Sequence, residues 1–437
     1  MVQISHLLSR VYTDMRILVL GSGAREHALA WKLSTEPAVT YVVCAPGNAG
    51  IARTVPIAPL DPLDADAVAA FVDRERIDLV VVGPEAPLER GLVDRFLAEN
   101  RPIFGPSRAA AQLETSKAFA KDFMHRHGVP TARYRTCTSA DEAVKAIRAG
   151  EFGDALVVKA DGLAAGKGVV VAYDRATAEA AVTVAMVDKS FGAAGARVVL
   201  EELLTGPEVS FFVVANGASY VPLLSAQDHK RIFDEDRGPN TGGMGAFAPS
   251  PLMTAALQAD IERRIVRPVL SGMAAEGHPF CGFLYCGLML TPDGPKVIEF
   301  NVRFGDPEAQ VVLPLLDDLC GLVTFKPQAL RPQAPKPSNC SVGVVLAASG
   351  YPGDVRTGDV IRGLDDVARD CPDVRIFFAG VKEKDGQLVT AGGRVLTVMA
   401  TASSYEIAIA RAYEAASKIS FDGVQYRRDI GRKALMA

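Results

Sequence analysis

A multidomain chain, α/β at its amino end and α+β beyond, is predicted by three observations. Residues 16–105 alternate short apolar strands with helical patterns and put a Gly/Pro turn after each strand. Residues 156–214 hold strands and one helix in a different order. A proline-rich stretch, 326–338, then precedes a last group of strands and a single helix. Regular alternation implies a parallel sheet with crossover helices, whereas mixed order implies antiparallel sheets. At 437 residues the chain exceeds one ordinary hydrophobic core.

In chain order, residues 1–14 form an amino-terminal extension that lacks the long apolar run of a signal peptide. Met15 immediately precedes the first strand, so 2–14 are expected to be dispensable. The unit 15–115 has strands at 17–20, 41–44, 79–82 and 103–104 and helices at 26–33, 65–74 and 89–99. This is a Rossmann-like pattern, in which ligands gather past the carboxyl ends of the strands. The unusual residues lie there: Gly21-Ser22-Gly23, Pro46-Gly47-Asn48, Gly83-Pro84-Glu85 and Gly105-Pro106-Ser107.

A helix at 116–127, stopped by Gly128 and Pro130, opens a second unit that extends to 325. Within it, about 130–203 forms a mobile flap subdomain, with strands at 156–159, 169–172 and 197–201 and a helix near 176–187. A strand at 208–214 follows. Residues 222–251 show little periodicity, yet their content is too specific for a linker, so they read as a long functional loop. After the 326–338 linker, residues 339–437 form a small mixed domain with strands at 342–348, 375–379, 389–390 and 395–401 and a helix at 406–417.

Composition narrows the function. Forty-seven basic residues against 51 acidic ones give a net charge of −4, which argues against nucleic acid or an anionic membrane as a partner. No run reaches the length of a membrane span. Seven scattered cysteines without a C-x-x-C pair fit reduced thiols in a cytoplasmic protein.

The densest motif is Val297–Gln310, VIEFNVRFGDPEAQ. Glu299 and Asn301 alternate on a strand, share a face, and offer oxygens to a hard cation such as Mg²⁺. The same pattern also fits an edge strand ending in solvent. Upstream, Asp161-Gly162-Leu163-Ala164-Ala165-Gly166-Lys167-Gly168 has the wrong spacing for a Walker loop and leads into a strand. It reads as a flap whose backbone and Lys167 could cover a triphosphate, with Lys159 at the end of the preceding strand. Glu201 and Leu203, at a strand end, could present backbone to a base, although many sheet edges look alike. Gly21-Ser22-Gly23-Ala24-Arg25-Glu26 lacks the third glycine of a dinucleotide fingerprint, and Glu26 would repel phosphate there. It reads as a tight turn touching some other substrate.

Together these segments resemble the ATP-grasp ligases, and within them the glycinamide ribonucleotide synthetase (phosphoribosylamine–glycine ligase) family. RILVLGSGAREHALAWKL, VVKADGLAAGKGV, SAQDHKR, GPNTGGMGAFAP, VIEFNVRFGDPE, AGGRVL and the terminal YRRDIG carry the resemblance, which runs from Met15 to the end. It implies an ATP-grasp central domain and ATP-dependent joining of glycine to 5-phosphoribosylamine through glycyl phosphate, in purine biosynthesis. On that resemblance Lys117, Lys159, Gly166, Lys167 and Gly168 handle phosphates. Glu201 and Leu203 meet adenine through their backbone, Glu208 meets the ribose, and Glu299 and Asn301 hold Mg²⁺ or Mn²⁺. Arg303, Lys230, Asp228 and Asn240 surround the reacting carboxylate and phosphate. Gly23, Gly47, Asn48, Gly83, Pro84, Glu85, Gly243, Met244 and Asp306 line the substrate side. A monomer is expected. The strand at 287–290 carries no carboxylate beside Glu299, so phosphates or another ligand must complete the metal shell. Alternatives are a related ATP-grasp ligase or carboxylase, a nucleotide-binding regulator without turnover, and a dehydrogenase.

Overall fold

The structure is a computed structural model that describes residues 14–164, 168–325 and 339–436. The amino-terminal extension before residue 14, Gly166, Lys167 and the 326–338 linker lie outside the described residues. Strand Met15–Gly21 lies between Val39–Pro46 and Leu79–Val82, all parallel, and Ile103–Phe104 completes the sheet. Nearly every residue of the first strand is buried, as a parallel strand covered on both faces requires. The expected helix at 89–99 is two helices, Glu85–Glu89 and Leu92–Ala98. Gly91 between them takes φ +81°, a left-handed conformation that breaks an apolar pattern readable as continuous.

Helix Lys117–Arg126 starts at Ser116, whose hydroxyl accepts from Phe119 N–H. Beyond it, strands Tyr134–Cys137, Val198–Glu202, Leu156–Ala160 and Val169–Ala172 form an antiparallel sheet in that order. Helices Ala140–Ala149 and Arg175–Val182 help cover it, and the second continues as a π-helical turn to Val187. This unit has a core of its own, from Cys137 and Ile147 to Val158 and Leu200. A second antiparallel sheet orders Ser219–Pro222, Glu208–Asn216, Cys281–Thr291 and Gly294–Asn301. It packs against the amino-terminal sheet, with the Phe104 and Phe283 rings 4.8 Å apart.

Two organisational expectations are corrected. Residues 222–251 are not structureless: Gln227–Asp228, Arg231–Phe233, Arg237–Asn240 and Gly245–Ala248 are short strands. Nor is the carboxyl-terminal sheet built from 339–437 alone. Its order is Gln227–Asp228, Gly245–Ala248, Cys340–Ala347, Arg394–Ala402, Arg375–Phe378, so the middle of the chain supplies its first two strands. Strands of two to four residues are too short to show a period, which is why the sequence hides them.

Candidate active site

Glu299 and Asn301 end the last strand of the 208–301 sheet, opposite Gly287 and Tyr285 respectively. A Cβ on Gly287 would come within 3.2 Å of Glu299 Cγ, so the glycine makes room for the carboxylate. Burial alone would raise the pKa of Glu299. Lys230, Lys159, Lys117 and Arg303 outweigh that and hold it below its usual value, so the carboxylate is charged. Lys230 Nζ lies 3.8 Å from Glu299 Oε1 and 3.0 Å from Glu208 Oε2.

A charged carboxylate and an amide oxygen on one strand face are a hard-oxygen pair. Among the described residues no group of three or more His, Cys, Asp or Glu could hold a metal. Two oxygens of this kind could serve a hard divalent cation whose remaining ligands are phosphate and water.

Arg303, in the turn after this strand, is held from two sides. Its Nη2 is 2.6 Å from Glu114 Oε1 and its Nε 3.4 Å from Glu85 Oε2. Glu114 also accepts Val302 N–H at 2.7 Å, which ties helix Arg108–Thr115 to the turn. Sequence reasoning missed Glu114; its one signal was a carboxylate among the apolar residues of that helix.

Asp228 and Lys230 face this cluster, while His229 between them turns into the protein and is buried. Burial, then the neighbouring Glu308, Glu208 and Glu299, push the Asp228 carboxyl up to about 7 against the pull of Lys230. Burial also raises Glu308, whose Oε1 accepts from Ser210 Oγ at 3.2 Å.

On the flap side, Lys159 Nζ donates to Ile298 O at 2.9 Å and lies 2.9 Å from Glu201 Oε1. Lys121 Nζ takes the other oxygen, Glu201 Oε2, at 2.7 Å. Lys117 Nζ donates to Gly162 O at 3.0 Å, and burial lowers its pKa. Gly168 O accepts from Ala160 N–H, closing the described base of the flap. Glu201 sits inside its sheet, paired with Tyr134 and Val157, while Leu203 lies just past the strand.

The rim turns converge differently from expectation. A Cβ on Gly21, Gly23 or Gly83 would strike the Glu26 side chain at 2.3–2.8 Å. Glu26 Oε2 accepts Gly23 N–H at 2.7 Å and Oε1 accepts Arg25 Nε–H at 2.6 Å. The carboxylate thus fills the space where a dinucleotide pyrophosphate would approach the turn.

Asn48 donates to Ser22 O, Phe378 O and Ala379 O and accepts from Gly50 N–H and Ile51 N–H. That exhausts its amide, so its side chain is a structural tie. Gly47 takes φ +66° and donates to Gly21 O. Met244 is fully buried, packed with Ile232 and Ala347, so only its backbone can face a ligand. Gly243 lies against the Asp306–Pro307 peptide, since a Cβ there would come within 2.4 Å of Pro307 Cδ and 3.5 Å of Asp306 O. Arg394, from the carboxyl-terminal sheet, binds both neighbours through Gly242 O and Asp306 O. Asn240 pairs with Arg231 at the base of the 231–240 hairpin.

Three models of one family match most of the chain. The phosphoribosylglycinamide synthetase N domain covers 15–114, the ATP-grasp (A) domain 115–309 and the C domain 341–433. A phosphoribosylamine–glycine ligase of Ralstonia nicotianae is 48% identical, covering 96% of this chain and 100% of that protein. One of Vibrio parahaemolyticus is 47% identical over 96% and 99%. The chain belongs to the phosphoribosylglycinamide synthetase family.

The crystal structure of a phosphoribosylamine–glycine ligase from Thermotoga maritima, 35% identical, matches with a TM-score of 0.82 and covers 95% of this chain and all of that one. A biotin carboxylase from Campylobacter jejuni, 15% identical with a TM-score of 0.69 over 97% and 96% of the chains, shares the fold alone. The chain is thus an ATP-grasp ligase by family. Cys44, Cys137, Cys281, Cys286, Cys340 and Cys371 are free thiols, and no helix among the described residues is long and apolar enough to cross a membrane.

Proposed function

We propose that this cleft joins glycine to 5-phosphoribosylamine at the expense of ATP, giving glycinamide ribonucleotide, ADP and phosphate. The observation that carries the reading is full-length similarity to phosphoribosylamine–glycine ligases together with the cluster of Glu299, Lys230, Asp228 and Arg303. A carboxylate resists attack by an amine, so it must first become an acyl phosphate. A glycine carboxylate oxygen attacks the γ-phosphorus and the bond to the ADP oxygen breaks. The amine nitrogen then attacks the glycyl carbonyl carbon, the bond to the phosphate oxygen breaks, and the amine loses a proton.

Phosphoryl transfer of this kind depends on position and charge neutralisation, not on a nucleophilic side chain. Lys117, Lys159 and the flap carrying Gly166, Lys167 and Gly168 hold the phosphates. Glu201 and Leu203 meet the adenine, and Glu208 holds the ribose. Glu299 and Asn301 would hold Mg²⁺ or Mn²⁺, which would supply positive charge to the reacting phosphates. Lys230 and Arg303 neutralise the reacting carboxylate and phosphate, and Asn240 lies beside them with an amide that can donate a hydrogen bond. Asp228, with its pKa near neutrality, takes the amine proton. Phosphoribosylamine lies along the rim of Gly23, Gly47, Gly83, Pro84 and Glu85, facing Gly243, Met244 backbone and Asp306.

The test is ADP formation by the purified protein with Mg-ATP and freshly generated phosphoribosylamine, with and without glycine. ADP release that requires glycine and matches glycinamide ribonucleotide one for one is expected. Nucleotide binding with no glycine-dependent turnover would direct the reading to another acid–amine pair.

A further inference from the structure

Lys121 has no place in the chemistry above, yet it is one of the most buried charges in the molecule, with its side chain 3% exposed. It lies on helix Lys117–Arg126 and reaches across to Glu201, on a strand of the flap subdomain sheet. Its ammonium lies 2.7 Å from Glu201 Oε2 and donates to Thr131 Oγ1 at 2.7 Å. Thr131 in turn donates to Val297 O, on the strand that carries Glu299. Glu201 is 4% exposed, and its second oxygen, Oε1, makes no hydrogen bond among the described residues but lies 2.9 Å from the Lys159 ammonium as an ion pair. One carboxylate is therefore shared by two lysines, and only Lys159 was assigned to phosphate above.

We infer that Lys121 is a positioning residue that occupies half of Glu201 and so leaves the charge of Lys159 available to the nucleotide phosphates. This rests on the assignment of Lys159 to phosphate made above. The electrostatics follow from the sharing. In a site with little solvent, a lone Glu201 would neutralise Lys159 with both oxygens and hold it away from a third, anionic partner. With Lys121 bound to Oε2, the three groups carry a net positive charge, and the Ile298 carbonyl fixes where Lys159 points. Burial draws the Lys121 pKa down to about 8 although Glu201 pulls it up, so it stays mainly charged at neutral pH. A purely structural ion pair would need neither the second lysine nor the backbone carbonyl.

The test compares steady-state ADP formation by Lys121→Met, Lys159→Met, Glu201→Gln and the Lys121→Met/Glu201→Gln pair, with folding checked by circular dichroism. Lys121→Met is expected to raise KM for ATP about tenfold, the loss of one charge-assisted contact, with kcat within about threefold and KM for glycine unchanged. Adding Glu201→Gln should return KM for ATP to within about threefold of the parent, because the carboxylate that captures Lys159 is then neutral. A normal KM for ATP in Lys121→Met beside a raised one in Lys159→Met overturns the inference alone. So does a double variant no better than Lys121→Met. A normal KM for ATP in Lys159→Met overturns the phosphate assignment and the inference with it. Where Lys121→Met does not fold, Lys121→Gln decides: a KM for ATP raised about tenfold supports the sharing, and a parent value refutes it.

Discussion

Asp228 is held near neutrality by burial among Glu308, Glu208 and Glu299, with Lys230 as the opposing charge. A base must be deprotonated to accept a proton, so activity should rise with pH through about 7 and level off above it. Below the inflection, kcat/KM should fall about tenfold per pH unit, and Asp228→Asn should cost about 10²-fold and erase the inflection. An unchanged pH profile in Asp228→Asn would remove the proton-accepting role. Glu299→Ala removes the charged member of the oxygen pair, and with it at least about 10² in turnover, while the fold persists. ADP release and circular dichroism on one preparation check both halves. A near-normal rate at ordinary Mg²⁺ would take Glu299 out of the metal shell. At this scale the sequence was informative about residues whose chemistry shows in their immediate neighbours. Glu299 and Asn301 share a strand face by alternation alone. Glu114, Lys121 and Arg394 were not legible, because each acts on a partner from 80 to more than 150 residues away in sequence. Such pairing is a property of the folded chain.

Between elements, the turn after strand Val39–Pro46 docks one sheet onto another. Asn48 gathers Ser22, Phe378 and Ala379 carbonyls and two amides of its own turn, so it fastens the amino-terminal sheet to the carboxyl-terminal one. Replacing it by alanine leaves these groups without their partner. Asn48→Ala should lower stability by about 2–3 kcal/mol, read as a drop in the urea midpoint. A shift below about 0.5 kcal/mol, the size of an ordinary surface change, would deny the tie its role. Strands of the parallel sheet were legible because apolar runs ended at Gly/Pro turns. Helix Lys117–Arg126 was legible because Ser116 caps it and Gly128 and Pro130 follow it. The strands between Gln227 and Ala248 were not, for strands of two to four residues have no period, and Gly245–Ala248 finds its partner, Cys340–Ala347, in a distant part of the chain. That hidden pairing also joins the carboxyl-terminal sheet to the segment that bears Asp228 and Lys230.

Across the whole molecule, two buried histidines couple folding to pH. His27 accepts Phe378 N–H through Nδ1 and lies 2.9 Å from Thr54 Oγ1, so it joins the amino-terminal helix to the carboxyl-terminal sheet as a neutral ring. His229 packs near Phe247, and neither of its ring nitrogens has a hydrogen-bond partner among the described residues. Burial is the first cause in both and brings each pKa from 6.5 to about 3; Arg375 adds to it for His27, Lys433 and Arg427 for His229. Both rings are neutral in the fold, and the unfolded chain binds the extra protons once pH drops below 6.5. Stability from these two groups is therefore complete above 6.5 and is lost as pH falls toward about 3. Each contributes a slope of about 1.4 kcal/mol per pH unit within that window. His229→Phe keeps a ring in the same packing and removes one titrating group together with a buried polar edge. It should be about as stable as the parent at pH 7.5, and about 2 kcal/mol more stable than the parent at pH 5. Urea unfolding followed from pH 7.5 to 4.5 measures the difference directly. Parallel curves for the two proteins across that range would mean that His229 keeps its ordinary pKa in the fold, and the acid sensitivity would then belong to His27 and the carboxylates.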